Sequence, residues 1–158
     1  MRVRLYPILN HLDLSTYLKK ASTPRASIEP LKSDNINQMS ITAVRGAISI
    51  PGSNEEHSQM MKSVGDLVSL LCKLNRISIR RIISVQLTQT SDLVKKNAAS
   101  ALREAIPKFN QVPLFCSQEP MIEDSLPRTV RILITWRTWR GRKMATPVYL
   151  GAAQSLRF

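Results

Sequence analysis

The sequence contains few of the side chains that metal sites and nucleophilic catalysis most often use. Two histidines, His11 and His57, and two cysteines, Cys72 and Cys116, are all that its 158 residues provide. Neither cysteine has a second one spaced for a zinc site or a redox motif. We therefore expect no metal site and no histidine-based triad, and we interpret both cysteines as reduced thiols in a reducing compartment.

Long apolar runs and aromatic residues are scarce too. No stretch approaches the roughly 18 to 20 uninterrupted apolar residues that cross a bilayer. Aromatic residues make up 5% of the chain, too few to favour a base-stacking surface. We expect a soluble protein with no membrane partner, and the length allows one domain with a substantial core.

Acidic residues are also few, since 11 Asp and Glu stand against 23 Lys and Arg, giving a net charge of +12. Such a charge favours an anionic partner, whether nucleic acid, phosphate, membrane surface or small carboxylate, without choosing among them. The best candidate for a nucleic-acid patch is the basic turn 139–143 with Arg137. No recognised nucleic-acid motif accompanies it, so we interpret it as a solvated hairpin tip and expect no nucleic-acid partner. A basic nucleic-acid-binding module remains an alternative on charge alone.

Residues 1–40 differ in composition from the rest of the chain. They are rich in Ser and Thr, show no sustained hydrophobic period, and contain six basic residues against three acidic ones: Arg2, Arg4, Lys19, Lys20, Arg25 and Lys32 against Asp13, Glu29 and Asp34. This composition is typical of organelle transit peptides, and the lack of a long apolar run argues against a secretory signal. We predict a removable transit peptide over 1–40 and a folded domain over 41–158. The alternative is a disordered basic tail.

Hydrophobic periodicity predicts alternating strands and helices from Ile41 onward. Ile41–Ile50 reads as a strand that ends at the Pro51-Gly52 turn signal. A helix is predicted to begin at Ser53 or Asn54 and to lie with one face on a sheet, because apolar residues recur at helical spacing: Met60, Met61, Val64, Leu67, Val68, Leu71 and Leu74. The later elements are predicted as a strand 79–88, a short helix 98–106, a strand 112–116, a strand 128–138 and an apolar run 147–153.

The alternation within the strand 128–138 separates one arginine from its apolar neighbours. Successive side chains of a strand point to opposite faces. Arg131 is therefore predicted to face away from the apolar set Val130, Ile132, Ile134 and Trp136.

Four separated pieces of the sequence form a set: Val44-Arg45-Gly46-Ala47, Cys116-Ser117-Gln118-Glu119, Arg131, and the segment from Tyr149 to Arg157. Each alone is weak, because a strand arginine is usually solvated and a lone cysteine is usually a small buried hydrophobe. Twelve residues separate Glu119 from Arg131, and eight separate Tyr149 from Arg157. Order and spacing together make the set specific.

This set resembles the bacterial-type monofunctional chorismate mutases, whose pattern runs Arg-Gly-Ala, Cys-x-Gln-Glu, an arginine twelve residues on, and Tyr-Leu followed by Leu-Arg. The resemblance covers Ile41 to Arg157. It implies an α/β fold related to the ferredoxin-like folds, with a mixed β-sheet and helices packed on one face. Three copies would form a homotrimeric pseudo-α/β-barrel with sites at the subunit interfaces. The implied enzyme is an isomerase that converts chorismate to prephenate, in phenylalanine and tyrosine biosynthesis, without metal or cofactor.

The resemblance also implies residue roles. Arg131 would be the cation that stabilises charge on the ether oxygen, Arg45 and Tyr149 would hold substrate oxygens, and Glu119 would face the ring hydroxyl. The implied catalytic residues are Arg131, Glu119 and Arg45. Further substrate contacts would come from the strand residues before Glu119, from the short helix and from the tail: Phe115, Cys116, Ser117, Gln118, Arg103, Leu156 and Arg157.

The chain departs from the family pattern in the short helix. Asn97 and Ser100 stand where relatives usually have an aromatic residue and a lysine, and Phe115 stands where they often have threonine, so that Phe115 would refill the space vacated at Asn97.

The implied role in phenylalanine and tyrosine biosynthesis favours a plastid as the location of the protein, or the cytoplasm if 1–40 is not a targeting signal. A trimeric ligand-binding or imine-deaminase-like protein of similar fold is the remaining alternative, against which the spacing from Glu119 to Arg131 argues.

Overall fold

The alternating segments of the sequence form one mixed sheet of five strands in the computed structural model, which describes residues 39–52, 55–139 and 145–156. The strands are β1 (Ser40–Ser49), β2 (Ile82–Gln89), β3 (Leu114–Gln118), β4 (Thr129–Thr138) and β5 (Val148–Leu150). Their order is β3-β2-β4-β1-β5. β4 runs antiparallel to β1 and β2, whereas β3 is parallel to β2 and β5 is parallel to β1.

Two α-helices cover one face of this sheet. They are α1 (Glu56–Asn75) and α2 (Ala98–Ala105), which lead to β2 and β3 through 3-10 helices at Ile79–Arg81 and Pro107–Gln111. A third 3-10 helix, Gly151–Leu156, follows β5. The apolar stripe of α1 and the apolar sides of β1, β2 and β4 form the core. Its largest fully buried side chains include Phe109, Met60, Leu67, Leu71, Leu87, Leu102 and Ile134.

A close approach between α1 and β1 occurs at Gly46. A Cβ atom at this position would lie 2.9 Å from Leu71 Cδ1 and 2.9 Å from the carbonyl oxygen of Val148. Glycine lets the helix pack directly on the strand backbone here. Since Gly46 faces the helix, its neighbours Arg45 and Ala47 face the other side of the sheet.

We call that other side the open face; it carries the side chains of Arg45, Ala47, Gln86, Thr88, Arg131 and Leu133. No α-helix packs on it within the described ranges, and three large apolar side chains on it are exposed: Ile41 at 68%, Phe115 at 66% and Leu133 at 37%. Apolar side chains gathered on one sheet face are typical of a surface that another chain covers.

The structure confirms the α/β fold with a mixed sheet and helices on one face. The alternation in β4 is confirmed as well, because Val130, Ile132, Ile134 and Trp136 are buried while Arg131 lies on the open face. Residues 1–38 lie outside the described residues, so the transit-peptide prediction is untested. The first helix begins at Glu56, with Glu55 as its N-cap residue, rather than at Ser53 or Asn54, which also lie outside the described residues.

Three further details differ from the predictions. Ile79–Arg81 forms a 3-10 helix rather than the start of β2, and β3 begins at Leu114 rather than at Val112. Leu74 is 52% exposed because the last turn of α1 is attached through Asn75 instead. The Asn75 amide donates to the Thr146 carbonyl at 2.9 Å and accepts from the Thr146 N–H at 2.7 Å. No described helix has the length and apolar character to span a bilayer.

Candidate active site

A cavity of about 310 Å³ lies on the open face of the sheet. Strands β1, β2, β4 and β5 and the C-terminal 3-10 helix all contribute to its walls. The lining residues are Arg45, Gly46, Ala47, Gln86, Thr88, Arg131, Ile132, Leu133, Tyr149 and Leu156. The predicted site residues Arg45, Arg131, Tyr149 and Leu156, which span more than a hundred residues of sequence, therefore meet in one place.

Strand register explains why these residues meet. Across neighbouring strands, Thr88 pairs with Arg131, Arg131 with Ala47, and Ala47 with Tyr149. Paired residues point to the same face of a sheet. Ala47 is the smallest residue of this row and separates two long side chains, so the space above it remains free for a ligand.

Arg131 is paired with a carboxylate at the edge of the cavity. Its Nη1 donates to Glu119 Oε2, and the hydroxyl of Thr88 donates to Glu119 Oε1. The backbone N–H of Glu119 donates to the Gln89 carbonyl at 2.8 Å, which fixes the residue where β3 ends. The Arg131 side chain is 35% exposed and that of Glu119 is 17% exposed, so the pair lies at the surface of the cavity rather than in the core.

Arg45 contributes a second cation, and it has no acidic partner within the described residues. It pairs with Leu133 across β1 and β4, one row from Arg131 on the same face. Two guanidinium groups and one carboxylate thus leave the cavity with a net positive charge. An anionic ligand with more than one oxygen group is the chemistry that such a site favours.

The C-terminal segment reaches the cavity through a turn at Gly151. This glycine has φ +61°, and a Cβ atom there would lie 2.5 Å from Ser49 Oγ. The Ala152 N–H donates to the same hydroxyl at 2.7 Å, which fastens the 3-10 helix to the end of β1. Leu156 thereby reaches the cavity wall, whereas Arg157 lies outside the described residues.

The remaining predicted site residues do not line this cavity within one chain. Phe115 and Ser117 lie on the open face of β3, while Cys116 and Gln118 point to the opposite side of that strand. Cys116 Sγ lies 3.6 Å from Gln89 Oε1, to which it donates. Arg103 is exposed on α2.

The departures in the short helix have a local explanation at Asn97. Its side-chain oxygen accepts from the N–H groups of Ala99 and Ser100, so it caps the N-terminus of α2. That helix packs on the covered face, whereas Phe115 lies on the open face. Within one chain Phe115 therefore cannot refill space beside Asn97; any such compensation would have to occur between copies.

Six lining residues are not among the predicted site residues: Gly46, Ala47, Gln86, Thr88, Ile132 and Leu133. The two of them with polar side chains are Gln86 and Thr88. Both lie in β2, which the hydrophobic pattern did predict as a strand. The pattern could not show that Thr88 is opposite Arg131, because the register between β2 and β4 is a tertiary property. Once that register is known, alternation alone places both side chains on the face of Arg131.

Other reactive groups lie away from this site. Burial raises the pKa of the Cys72 thiol to about 11, so it remains protonated at neutral pH and is a poor nucleophile. Cys72 and Cys116 are both free thiols. Among the described residues, no group of three or more His, Cys, Asp or Glu side chains is arranged to hold a metal ion.

Comparison with known proteins identifies the family. A family model described as chorismate mutase type I matches residues 41–158. The chain is 30% identical over 118 residues to the chorismate mutase AroH of Thermus thermophilus, an alignment that spans 74% of this chain and 93% of that protein. The fold is similar to that of a chorismate mutase from Clostridium thermocellum, with a TM-score of 0.65 and 24% identity over 72% of this chain and 98% of that one. The chain belongs to the type I chorismate mutase family and is an isomerase of that family.

Proposed function

We propose that the open-face cavity binds chorismate and converts it to prephenate. The observation that carries this proposal is the convergence of Arg45, Arg131 and Tyr149 on one cavity of about 310 Å³. Chorismate has two carboxylates, an ether oxygen and a ring hydroxyl. The volume lies at the small end of the range for ligand sites, about 300 to 1,000 Å³, as a compact substrate requires.

The proposed reaction requires a cavity of the right shape and charge and does not require a nucleophile or a general base. One C–O bond breaks and one C–C bond forms within a single molecule, so no atom enters or leaves. Negative charge develops on the ether oxygen while positive charge spreads over the ring. A preorganised cation beside that oxygen stabilises the transition state more than the ground state, and holding the folded conformer removes part of the entropic barrier.

Arg131 is the proposed cation. Its pairing with Glu119 keeps the guanidinium extended along the cavity edge, and an arginine has five N–H donors, so others remain for the ether oxygen. Arg45 and Tyr149 are proposed to hold the carboxylates, and Glu119 to accept from the ring hydroxyl. Leu156 would close the apolar side of the cavity, with Arg157 beyond it.

We also propose that three copies assemble through their open faces. The support is the exposed apolar side chains of Ile41, Phe115 and Leu133 on a face that no α-helix of the described chain covers. A neighbouring copy would then supply Phe115 and Ser117, which lie on its own open face. Arg103, Cys116 and Gln118 lie on the other side of the sheet and stay predicted contacts. A monomer would lack the contacts that come from its neighbour.

Residues 1–40 are proposed to be a plastid transit peptide, on composition and on the pathway that prephenate serves. Residues 41–158, which the family model matches, would then be the mature enzyme. Sequencing the N-terminus of the protein isolated from its source tests this, since a start near residue 40 supports import and cleavage. A start at Met1 would contradict it and favour the cytoplasm.

The decisive experiment follows the loss of chorismate absorbance with the full chain and the variant Arg131→Ala. Lys62→Ala is the control, because Lys62 is an exposed cation on α1, which packs on the covered face, and lies outside the cavity. We expect saturable turnover in the unmodified chain, a loss of about 1,000-fold in Arg131→Ala, and turnover within about twofold in the control. A chain that sediments as a trimer without turning over chorismate would refute the proposed reaction.

The trimer has its own test. Sedimentation should give three times the chain mass of 17.8 kDa. Ile41→Lys, which places a charge on the open face outside the cavity, should weaken assembly and activity together. Full activity in a monomeric sample would contradict a shared site.

A further inference from the structure

We infer that Thr88 is a positioning residue that sets the orientation of the Arg131–Glu119 pair in the cavity. The inference rests on the proposed function and adds a residue to it. Thr88 lies next to the last residue of β2 on the open face, paired with Arg131 on one side and with Ser117 on the other. Its hydroxyl thus lies between the strand that carries the cation and the strand that leads to the carboxylate.

Each oxygen of the Glu119 carboxylate has one partner of its own. Oε1 accepts from the Thr88 hydroxyl and Oε2 accepts from Arg131 Nη1. The main chain of Glu119 is anchored separately, through its N–H to the Gln89 carbonyl at 2.8 Å. Among the described residues, only Thr88 and Arg131 hydrogen-bond the carboxylate, so these two contacts fix its rotation.

This rotation needs a second contact because the terminal torsion of a glutamate side chain is broad. Arg131 alone would hold one oxygen and leave the carboxylate free to turn about it. Thr88 is well suited to stop that turning, since a β-branched residue on a strand has a stiff χ1 and offers its hydroxyl from a fixed point. A fixed carboxylate in turn holds the guanidinium where the proposed ether oxygen would meet it.

Thr88 also lines the cavity, so direct contact with the substrate is the competing role. A hydroxyl has a single proton to donate. Thr88 gives that proton to Glu119, which leaves only lone pairs for the ligand. The carboxylates and the ether oxygen of the proposed substrate are acceptors, which lone pairs do not bind, and its one donor, the ring hydroxyl, is assigned to Glu119. The geometry therefore favours action through Glu119.

The test compares Thr88→Val, which removes the hydroxyl at nearly constant volume, with Thr88→Ser, which keeps it. Misplacement of a catalytic group by about 1 Å costs up to about 100-fold. We expect kcat to fall about 10- to 100-fold in Thr88→Val with KM changed less than about threefold, and Thr88→Ser to recover most of the loss. Thr135→Val is the matched control, because Thr135 is on the same face but outside the cavity, with no side-chain hydrogen bond in the described chain.

A double-mutant cycle separates the two roles. In a Glu119→Ala background, Thr88→Val should change kcat by less than about twofold, because the group on which Thr88 acts is gone. A full additional loss in that background would mean direct substrate contact, and an unchanged kcat in the single variant would mean no role; either result overturns the inference.

Crystal structures of the unmodified chain and of Thr88→Val give a readout that does not depend on the substrate. The carboxylate of Glu119 should rotate away from Arg131 in the variant. If it keeps its place, the inference is wrong whatever the activity. If it rotates while the unmodified trimer does not turn over chorismate, the proposed reaction fails and the positioning role stands.

Discussion

Two arginine–glutamate pairs involve arginines three residues apart at the start of β4. The pairs differ in how many of their hydrogen-bonding groups have partners in the protein. Arg128 pairs with Glu56, and Arg131 pairs with Glu119. The side chain of Glu56 is 6% exposed and that of Arg128 is 27% exposed, against 17% for Glu119 and 35% for Arg131. The residue types are the same, but the first pair lies beneath the surface and the second lies on a cavity.

The first pair joins three segments of the chain. Arg128 donates to Glu56 Oε2 at 3.0 Å and to the Ile50 carbonyl at 3.2 Å, and its backbone N–H donates to Asp92 Oδ2 at 2.8 Å. The other oxygen of Glu56 accepts from the Lys95 N–H at 2.9 Å. Arg128 even adopts a left-handed φ of +48° to make these bonds. Such a pair serves the fold.

The second pair is less completely hydrogen-bonded. Arg131 lines the cavity and has one hydrogen-bond acceptor, Glu119, within the described residues, so most of its donors have no protein partner there. Donors without a protein partner are what a ligand can use. The comparison teaches that burial and the number of hydrogen bonds, not the residue types, distinguish an ion pair that joins segments of the fold from one that leaves donors for a ligand.

The largest effect should come from breaking the buried pair with Arg128→Ala. Removing one partner leaves the Glu56 charge buried, and this costs about 3 kcal/mol of unfolding free energy, the low end for buried pairs because Arg128 is partly exposed. Urea unfolding at pH 7 measures the loss. The folded fraction should keep chorismate turnover within about threefold, and a stable but inactive Arg128→Ala protein would erase the distinction between the two pairs.

The next effect should come from Arg131→Lys, which keeps the charge of the second pair. A lysine cannot hold Glu119 and the ether oxygen at once with the planar geometry of a guanidinium. We expect kcat to fall about 100-fold while the urea midpoint stays near that of the unmodified chain. Arg137→Lys on the same strand and face is the control. Turnover close to normal in Arg131→Lys would show that charge alone is enough.

The two pairs also show which features could be predicted from the sequence and which could not. Period-2 alternation placed Arg131 on the face opposite the apolar residues of β4, because the period of a strand is a local property. The motif spacing connected Arg131 with Glu119, and the structure joins them by an ion pair. Alternation and family resemblance were sufficient for the mixed sheet and for four cavity residues.

Contacts set by tertiary packing were beyond that reasoning. Glu56 and Arg128 are 72 residues apart, and no local pattern links them. Glu56 lies in the first turn of α1, and nothing in the sequence around it points to Arg128. Thr88 was passed over for the same reason, since its role depends on the register between β2 and β4. Asn97 was read as a lost contact, whereas the backbone of α2 shows it to be a helix cap.

A smaller effect should come from acid, which protonates Glu56 and so weakens the buried pair. The Lys95 N–H, followed by Arg128, holds the pKa of Glu56 below its ordinary value of 4.5, although burial opposes this. A lowered folded pKa means that the stabilisation is complete above about pH 4.5 and is lost as pH falls through the folded value. Tm measured from pH 7 down to pH 3 should therefore fall further in the unmodified chain than in Glu56→Gln. Parallel curves would show that folding does not lower the pKa of Glu56.

The smallest effect should come from a third pair, which lies in solvent. Glu104 on α2 accepts from Lys96 and lies 3.1 Å from His57 Nε2, and these contacts, with Lys96 the larger, lower the pKa of its carboxyl. The side chain is 43% exposed, and water and salt screen such pairs. Glu104→Gln should leave both Tm and chorismate turnover unchanged within error. A clear drop in Tm, abolished by high salt, would mean that an exposed ion pair can contribute to stability. Exposure would then predict the contribution of a pair less well than the comparison of the other two pairs implies.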